Sequence, residues 1–403
     1  MNLMKIPYRL SHVAMRNTLK LLKFPIPPVL EGPGMVSRFP EIIEVCGVRK
    51  ALVVTDKNLM TMGLLDPFLK ALKAHDIETA IFDGVQENPT IDNIHEGLTM
   101  YMHEHCDSVI AFGGGSPIDC AKIIAARVTN NIPVLKMRGL FKLTRKLPPL
   151  FAVPTTAGTG SETTIVAVIT DREKREKFLI SDPKLVPLAT VLDPELTVSL
   201  PKTLTASTGM DALTHAIEAF IGWYDLPFVQ KKAIEAVKTI MSDLEKGYMD
   251  GSNLSLRFNM LKASFNAGLA FTRAYVGYVH AVAHSLGGYY GVPHGFANAV
   301  ILPIILDFSL EEAAPKLAEL ARCAGIGDPS DSDVVLAAAF VAKIREMNRH
   351  MGIPENIDAL QVEDIPELAQ RILREANPAY PVPKIMNEDQ CIEILEKLRR
   401  KDH

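Results

Sequence analysis

The amino-acid sequence predicts an α/β domain with a parallel sheet, followed by a domain built only of helices. Between residues 50 and 153, short apolar runs typical of buried strands alternate with segments whose apolar residues recur at helical spacing. From about residue 205 onward the spacing is helical throughout. Residues 194–201 have no regular period, so we place the domain boundary near residue 200. The expected division is an N-terminal extension over 1–23, an α/β domain over 24–200 and an all-helical domain over 201–403.

Composition limits the classes of function. The chain has 403 residues, which suggests two hydrophobic cores, and a formal net charge of −4. That charge is too small to indicate binding to nucleic acid or to a membrane surface. No run approaches the roughly 18 apolar residues of a membrane span. The five cysteines form no CxxC pair, which is typical of a reducing compartment, so we expect a cytoplasmic protein.

The N-terminal extension carries basic residues and no acidic one. It lacks the apolar core and the small-residue cleavage pattern of a signal peptide. A short basic helix on the surface is therefore favoured over a targeting sequence.

The predicted strands and helices follow from these patterns. A proline-rich extended edge segment is expected over 24–34, because proline suits an edge strand and a turn. Strands are predicted over 50–56, 78–82, 107–112, 149–153, 163–170 and 189–192, and helices over 36–47, 58–75 and 91–105. Residues 171–177 are predicted to form a charged, solvated turn. The later helices are predicted over 205–222, 228–246, 253–286, 295–308, 311–324, 333–351, 365–377 and 387–400.

A glycine-rich turn follows the third predicted strand, in the stretch Gly113-Gly-Gly-Ser-Pro-Ile-Asp-Cys-Ala-Lys122. The glycines allow a tight turn and a close approach of the backbone to a ligand. Ser116 is a good N-cap and Pro117 a good first helical residue. A helix that begins here would direct free N–H groups at a phosphate, although a simple strand–turn–helix also needs glycine. The pattern is not the GxGxxG fingerprint of common dinucleotide-binding domains.

Two further polar features follow predicted strands. The loop Pro154-Thr-Thr-Ala-Gly-Thr-Gly-Ser-Glu162 carries hydroxyl groups suited to a polar ligand, although such loops are often only solvated turns. It follows the carboxyl end of a strand, which is where α/β proteins bind ligands. Asp56 also follows a strand, where an acid can accept hydrogen bonds from an adenosine ribose and repel a 2′-phosphate. A turn aspartate is an equally good interpretation of Asp56.

The helical region holds a set of candidate metal ligands. Asp211 and His215 are four residues apart and share one helix face, on a helix that Ser207 or Thr208 can cap. His280 and His284 repeat this spacing, and His294 follows a glycine-rich turn. Imidazoles with one carboxylate and no thiolate suit Fe²⁺ or Zn²⁺. Spacing leaves open which four of the five groups bind, and whether Glu218 supports them or is an ordinary helix carboxylate.

Four motifs, in order and in register, resemble those of the iron-containing (group III) alcohol dehydrogenases. They are residues 113–122, 154–162, 209–218 and 280–295, and the resemblance extends from about Phe24 to Leu398. It implies an N-terminal α/β dinucleotide-binding domain and an all-helical metal-binding domain, the fold shared with dehydroquinate synthase. It also implies Asp211, His215, His280 and His294 as metal ligands, with His284 beside the metal and the nicotinamide. The residues that it implies for NAD(H) binding are Asp56, Asn88, Gly114, Gly115, Ser116, Asp119, Thr155, Thr156, Thr159 and Lys177.

The resemblance implies an NAD(P)-dependent enzyme that transfers a hydride between its cofactor and a small primary or secondary alcohol or aldehyde, with NAD(H) preferred to NADP(H). Lewis-acid catalysis by Fe²⁺ or Zn²⁺ and proton transfer through His284 would complete the reaction. A glycerol-type polyol dehydrogenase, a dehydroquinate synthase and a non-catalytic metal- and nucleotide-binding protein are the alternatives. The proline-rich segment after Phe24 is a candidate for strand exchange in a homodimer.

Overall fold

The computed structural model describes residues 5–22 and 24–400, which form two compact units. The α/β unit comprises residues 24–200 together with 251–268, and the helical unit comprises the rest of the described chain. Residues 5–22 of the N-terminal extension therefore group with the helical unit, whereas residues 1–4 and 23 lie outside the described residues. The domain division at residue 200 stays a prediction.

The main sheet of the α/β unit is parallel, as predicted. Among the described residues, six strands hydrogen-bond in the order β1-β9-β6-β4-β2-β3, and all of their pairings are parallel. Their bounds are β1 (Val29–Glu31), β2 (Lys50–Val54), β3 (Glu78–Phe82), β4 (Ser108–Gly113), β6 (Leu150–Pro154) and β9 (Ala189–Leu192). The edge position predicted for the proline-rich segment is confirmed by β1.

Apolar cores lie on both faces of this sheet. Alternate residues of β2 and β4 enter different clusters, because successive side chains of a strand point to opposite faces. Leu52 and Val109 belong to one cluster with Ile124, whereas Val53 and Ile110 belong to the other. Burial on both faces explains why these strands are apolar runs without alternation.

A smaller sheet contains the strand predicted over 163–170 and two strands that the sequence analysis missed. It has the order β5-β8-β7, from β5 (Gly139–Leu140), β7 (Val166–Asp171) and β8 (Glu176–Ser181). β7 and β8 pair antiparallel, and the turn between them covers only 172–175, so the charged turn predicted over 171–177 is wrong at both ends. Lys177 pairs with Thr170 within the hairpin. The charged residues at the start of β8 hid its strand character.

The helices are mostly where they were predicted. In the order of the chain they are α1 (Lys5–Leu21), α2 (Phe39–Val45), α3 (Lys57–Thr61), α4 (Asp66–Ala74), α5 (Ile91–His103), α6 (Gly115–Thr129), α7 (Lys202–Ile221), α8 (Pro227–Met249), α9 (Leu254–Ala274), α10 (Tyr278–Tyr290), α11 (His294–Phe308), α12 (Leu310–Ala324), α13 (Asp333–His350), α14 (Ile365–Ala376) and α15 (Glu388–Leu398). A search of the described helices finds none with the length and apolar character of a membrane span.

Several predicted helix boundaries are wrong. The helix expected over 58–75 is divided into α3 and α4, and that expected over 253–286 into α9 and α10. α7 begins at Lys202 after Pro201, so Ser207 and Thr208 lie within the helix and do not cap it. The hydroxyl of Thr208 instead donates to the carbonyl oxygen of Leu204, one turn earlier.

Candidate functional site

Three helices bring four of the five candidate metal ligands together. Asp211 and His215 lie one turn apart on α7, His280 lies on α10, and His294 is the first residue of α11. One potential ligand atom from each lies within 4.8 Å of those of the others. Oδ1 of Asp211 is 3.5 Å from Nε2 of His294 and 4.0 Å from Nε2 of His280. His284 lies outside this group of four.

The chemistry of this donor set fits a divalent transition metal. Asp211 and His280 are each only 2 % exposed, so their proximity is not an accident of a solvated surface. Burial, with a smaller effect from His284, lowers the pKa of His280 well below its usual value. The ring is therefore neutral, which is the form that binds a metal. Three imidazoles with one carboxylate are ligands typical of iron or zinc.

Glu218, also on α7, fixes the orientation of His280. Its carboxylate accepts the backbone N–H groups of Gly277 and Val279, at 2.8 and 2.7 Å. It also lies 2.6 Å from Nδ1 of His280. Because a carboxylate that already accepts two N–H groups acts as an acceptor here too, Nδ1 of His280 carries the proton. Nε2 is thereby left with its lone pair directed toward Asp211, so Glu218 supports the group of four.

The hydrogen bonds that Glu218 accepts from Gly277 and Val279 also explain the break between α9 and α10. Glu218 receives N–H groups from the first turn of α10, so it caps that helix from outside. A Cβ added at Gly277 would lie 2.6 Å from Oε1 of Glu218, so a larger residue would displace the carboxylate. Gly277, one of two glycines within the predicted helix, was the available signal, since such a glycine often marks a close approach.

Asn298 was missed by the sequence analysis. Its side chain is fully buried, and Nδ2 donates to Oδ1 of Asp211 at 2.6 Å. The same nitrogen lies 3.2 Å from Nε2 of His280 and of His294. Asn298 is four residues after His294 on α11, and this helical spacing was the signal that could have found it.

His284 has partners of its own. Its Nδ1 lies 2.7 Å from Oε1 of Glu375, and the same oxygen accepts the hydroxyl of Tyr380 at 2.7 Å. Burial, followed by the charge of Glu375, raises the pKa of Tyr380 well above its usual value, so this hydroxyl keeps its proton. Glu375 is therefore an acceptor for both groups, and Nε2 of His284 is the ring atom available to a ligand. The rings of His284 and His294 stack at 5.2 Å between centroids.

In the α/β unit, the two polar loops meet at the carboxyl edge of the sheet. β2, β4 and β6 are neighbours, so the segments that follow them lie at one edge. The N–H of Thr155 donates to the carbonyl oxygen of Gly113 at 3.1 Å. A Cβ added at Gly115 would lie 2.6 Å from Cγ2 of Thr159, so only glycine allows this approach of the loops. The sequence analysis predicted that each segment follows a strand, and the structure places both at the same edge.

The structure corrects the predicted start of α6. Its N-cap is Gly114 and its first residue is Gly115, so Ser116 lies in the first turn and does not cap the helix. Gly114, Gly115 and Ser116 thus contribute the N–H groups at the positive end of the helix. This geometry suits a phosphate.

Asp119 is engaged by protein groups. Its Oδ1 accepts the hydroxyl of Ser161 at 2.5 Å, and its Oδ2 accepts the N–H of Val168 at 2.9 Å. Burial raises the pKa of Asp119, while the nearby Lys122 opposes this shift. Its role in cofactor contact, implied by the resemblance, stays a prediction.

Lys122, which the sequence analysis did not single out as a site residue, anchors the second loop. Its fully buried Nζ donates to Oγ of Ser161 at 3.1 Å, to Oγ1 and the carbonyl oxygen of Thr164 at 2.9 and 3.0 Å, and to the carbonyl oxygen of Val166 at 2.7 Å. Burial lowers the pKa of Lys122 to about 8, and Asp119 opposes the shift. Asp119 and Lys122 are spaced i, i+3 on α6, so together they tie the loop to this helix.

Replacing Lys122 by alanine is expected to lower the free energy of unfolding by about 3 kcal/mol, because Asp119 would lose its buried cation. NADH binding should weaken by about tenfold, since the loop would lose its anchor. Chemical denaturation and an NADH titration measure the two effects. The exposed Lys73 on α4 provides the control, and its alanine variant should change stability by under about 0.5 kcal/mol. Equal behaviour of the two variants would refute the anchoring role.

The remaining predicted cofactor residues are dispersed along the unit. Asp56 caps α3, since its Oδ1 accepts the N–H groups of Asn58 and Leu59 at 2.9 and 3.1 Å. Asn88 has a positive φ of 59° in the segment between β3 and α5. Asp56 thus caps a helix, a role that the sequence analysis did not name, and its contact with a ribose stays a prediction.

Comparison with known proteins agrees with this geometry. The profile described as "Iron-containing alcohol dehydrogenase" matches residues 27–194, and that described as "Fe-containing alcohol dehydrogenase family, C-terminal" matches residues 205–399. The 1,3-propanediol dehydrogenase of Klebsiella pneumoniae is 40% identical over 370 residues, which are 91% of this chain and 95% of that protein. The lactaldehyde reductase of Escherichia coli (strain K12) is 37% identical over 350 residues, which are 85% of this chain and 90% of that protein.

Solved structures show the same similarity over both units. A crystal structure of 1,3-propanediol oxidoreductase matches with a TM-score of 0.89 and 38% identity, covering 93% of this chain and 99% of that chain. The alcohol dehydrogenase from Oenococcus oeni matches with a TM-score of 0.90 and 36% identity, with coverage of 93% and 99%. The chain therefore belongs to the iron-containing alcohol dehydrogenase family and is an oxidoreductase of the alcohol dehydrogenase and aldehyde reductase class.

Proposed function

We propose that the enzyme transfers a hydride between NAD(H) and a small primary or secondary alcohol or aldehyde, with a divalent metal held by Asp211, His215, His280 and His294. The observation that carries this proposal is the group of one carboxylate and three imidazoles within 4.8 Å, of which Asp211, His215 and His280 are buried and His294 is partly buried. Fe²⁺ is the metal that the family name suggests, and the same ligands suit Zn²⁺. The relatives named for 1,3-propanediol and lactaldehyde support a short, polar substrate.

The bound groups and the side chains contribute different steps of the reaction. When bound, the metal supplies Lewis-acid polarisation of the substrate oxygen and the nicotinamide supplies or accepts the hydride. His284 would exchange the proton at Nε2, because its Nδ1 is engaged by Glu375. Glu218 holds His280 with Nε2 toward Asp211, and Asn298 holds the Asp211 carboxylate. The side chains of the protein thus orient the potential metal ligands and move a proton.

An assay with a panel of aldehydes tests the proposal. NADH oxidation is measured with short aliphatic, hydroxylated and phosphate-bearing aldehydes, and the reverse reaction with the matching alcohols and diols. We expect turnover with short aliphatic and hydroxylated aldehydes. We expect that no phosphate group on the substrate is required for turnover. No turnover on any aldehyde or alcohol, with Fe²⁺ or Zn²⁺ added, would favour a protein that only binds metal and nucleotide.

Cofactor choice is proposed to depend on Asp56, whose carboxylate would repel a 2′-phosphate. Replacement by serine removes the charge and keeps a side chain that can cap α3. The kcat/KM for NADPH relative to NADH should rise by about tenfold, which corresponds to about 1.4 kcal/mol. Steady-state kinetics with both cofactors measure the ratio. If the ratio in the serine variant equals that of the wild type, Asp56 does not select the cofactor.

We also propose a homodimer, in which the edge strand β1 lies near the contact between copies. Its exposed edge is suited to strand pairing, since β1 pairs with β9 on one side only in the described sheet. Analytical ultracentrifugation tests this assembly, and a monomer at micromolar concentration would contradict it. We further propose a cytoplasmic location.

A further inference from the structure

The guanidinium of Arg9 attaches α1 to the helical unit. Its Nη1 donates to the carbonyl oxygen of Val382 at 2.8 Å, and its Nη2 donates to that of Pro383 at 2.5 Å. The guanidinium carbon also lies 4.9 Å from the ring centroid of Trp223, which is a cation–π contact. Arg9 therefore fixes two consecutive carbonyl groups of one segment near the end of the chain.

His12 fixes a third carbonyl of that segment. It is buried, and its Nε2 lies 2.8 Å from the carbonyl oxygen of Pro378. Because a carbonyl oxygen can only accept, Nε2 carries the proton and donates. Burial lowers the pKa of His12, so its ring is neutral and its Nδ1 can accept from Arg9, at 3.4 Å. The two side chains of α1 thus act together.

The segment over 377–386 depends on donors from outside because it is rich in proline. It forms no helix or strand and contains Pro378, Pro381 and Pro383. Proline has no backbone N–H, so this segment cannot pair its own carbonyl groups in a regular ladder. The N–H of Trp223 donates to the carbonyl oxygen of Pro381 at 2.7 Å, and α1 supplies partners for the carbonyl groups on either side.

The segment also carries the side chain that connects it to His284. Tyr380 is buried, and its hydroxyl donates to the oxygen of Glu375 that faces Nδ1 of His284. Tyr278 adds a second anchor, since its hydroxyl donates to Oδ1 of Asn377 at 2.9 Å and accepts the N–H of Met386 at 3.0 Å. A continuous set of contacts therefore runs from Arg9 to the imidazole of His284.

We propose that α1 is a positioning element of the active site, which holds the 377–386 segment so that Tyr380 and Glu375 keep the proton of His284 on Nδ1. α1 lies before the first residue that the family profile matches, residue 27, so it is an addition to the family core. Arg9, Tyr380 and Glu375 act through His284 and are positioning residues. The inference rests on the proposed role of His284 in proton transfer.

Point variants of the full-length holoenzyme test this inference. Arg9→Ala and Glu375→Gln are compared with Lys20→Ala, which removes a charge from the exposed last turn of the same helix. The kcat should fall by about 100-fold in Glu375→Gln, at the lower end of the contribution of a proton-transfer residue, and by about tenfold in Arg9→Ala, which acts less directly. Arg9→Lys should recover part of the lost kcat, because the lysine ammonium group can still donate to one of the two carbonyl oxygens that Arg9 contacts. The KM for the aldehyde, the NADH affinity and the metal content should match the wild type.

Nitrogen-15 NMR of labelled histidine supplies a readout independent of activity. The wild type and Lys20→Ala should show His284 with its proton on Nδ1, whereas Glu375→Gln should move it toward Nε2 and Arg9→Ala should give a mixture of tautomers. If Arg9→Ala keeps the wild-type tautomer and kcat, the positioning role of α1 is overturned, even when its Tm is lower. If His284→Ala keeps full turnover, the proton-transfer role fails instead, and the tautomer populations still decide the role of α1.

Discussion

Replacing His280 by alanine is expected to remove the metal and to lower turnover by at least about 1,000-fold, or about 4 kcal/mol of transition-state stabilisation. The side chain is one of four potential ligands, and its Nδ1 partner Glu218 fixes its direction. NADH affinity should be retained, because the predicted phosphate-binding loops belong to the α/β unit. Metal analysis, steady-state kinetics and an NADH titration measure these three results.

The control for this variant is His103, a surface histidine whose side chain is 81% exposed at the end of α5. His103→Ala should keep the metal, the turnover and the NADH affinity of the wild type. The assignment of His280 would be wrong if its alanine variant retained both stoichiometric metal and turnover. If the variant lost both NADH binding and the metal, the cause would be a folding defect and not the loss of one metal ligand.

Replacing Glu218 by alanine is expected to weaken metal binding by about 10- to 100-fold, as for other residues that orient a metal ligand. It should also lower the free energy of unfolding by about 3–5 kcal/mol, because two backbone N–H groups at the start of α10 would be buried without an acceptor. Burial raises the pKa of Glu218 to about 7, whereas the hydrogen bonds from Gly277, Val279 and His280 oppose that shift. Competition with a coloured chelator and chemical denaturation measure the two effects.

Glu319 provides a matched control, because it is an exposed glutamate on α12 of the same helical unit. Glu319→Ala should change stability by under about 0.5 kcal/mol and leave metal affinity unchanged. If the Glu218 and Glu319 variants behave alike, Glu218 neither caps α10 nor orients His280.

Much of the α/β fold was predictable because its signals are local. Strands over 78–82 and 189–192 were located to the residue, since a parallel sheet covered on both faces requires short apolar runs bounded by turns. β8 was missed because its first residues, Glu176 and Lys177, are charged, and their hairpin partner lies in β7. Pairing with another strand, and not the intrinsic preference of its residues, decides whether such a segment forms a strand.

The candidate site was predictable to the extent that its residues repeat at helical spacing. Asp211 with His215, and His280 with His284, could be paired from spacing alone. The division of four potential ligands from His284 came from the resemblance, and the structure groups the same four. Glu375 could not be found from the sequence, because it contacts His284 across 91 positions. Asn298 contacts Asp211 across 87 positions, and its only signal in the sequence is its helical spacing to His294.

The break between α9 and α10 shows why helix boundaries near the site were missed. The apolar spacing continues across Gly277, so the sequence alone favours one long helix. The carboxylate of Glu218 on another helix ends that continuity by accepting N–H groups of α10. A tertiary contact therefore overrides the local pattern at the point where His280 has to be oriented.

Turnover is expected to require one metal ion in the group formed by Asp211, His215, His280 and His294. The most direct measurement removes the metal with a chelator, returns Fe²⁺ or Zn²⁺ in known amounts, and records NADH oxidation with a short aldehyde at each step. We predict that turnover disappears on removal and rises linearly until one ion per chain is bound. Turnover that persists at undetectable metal content would show that the reaction does not depend on this metal ion.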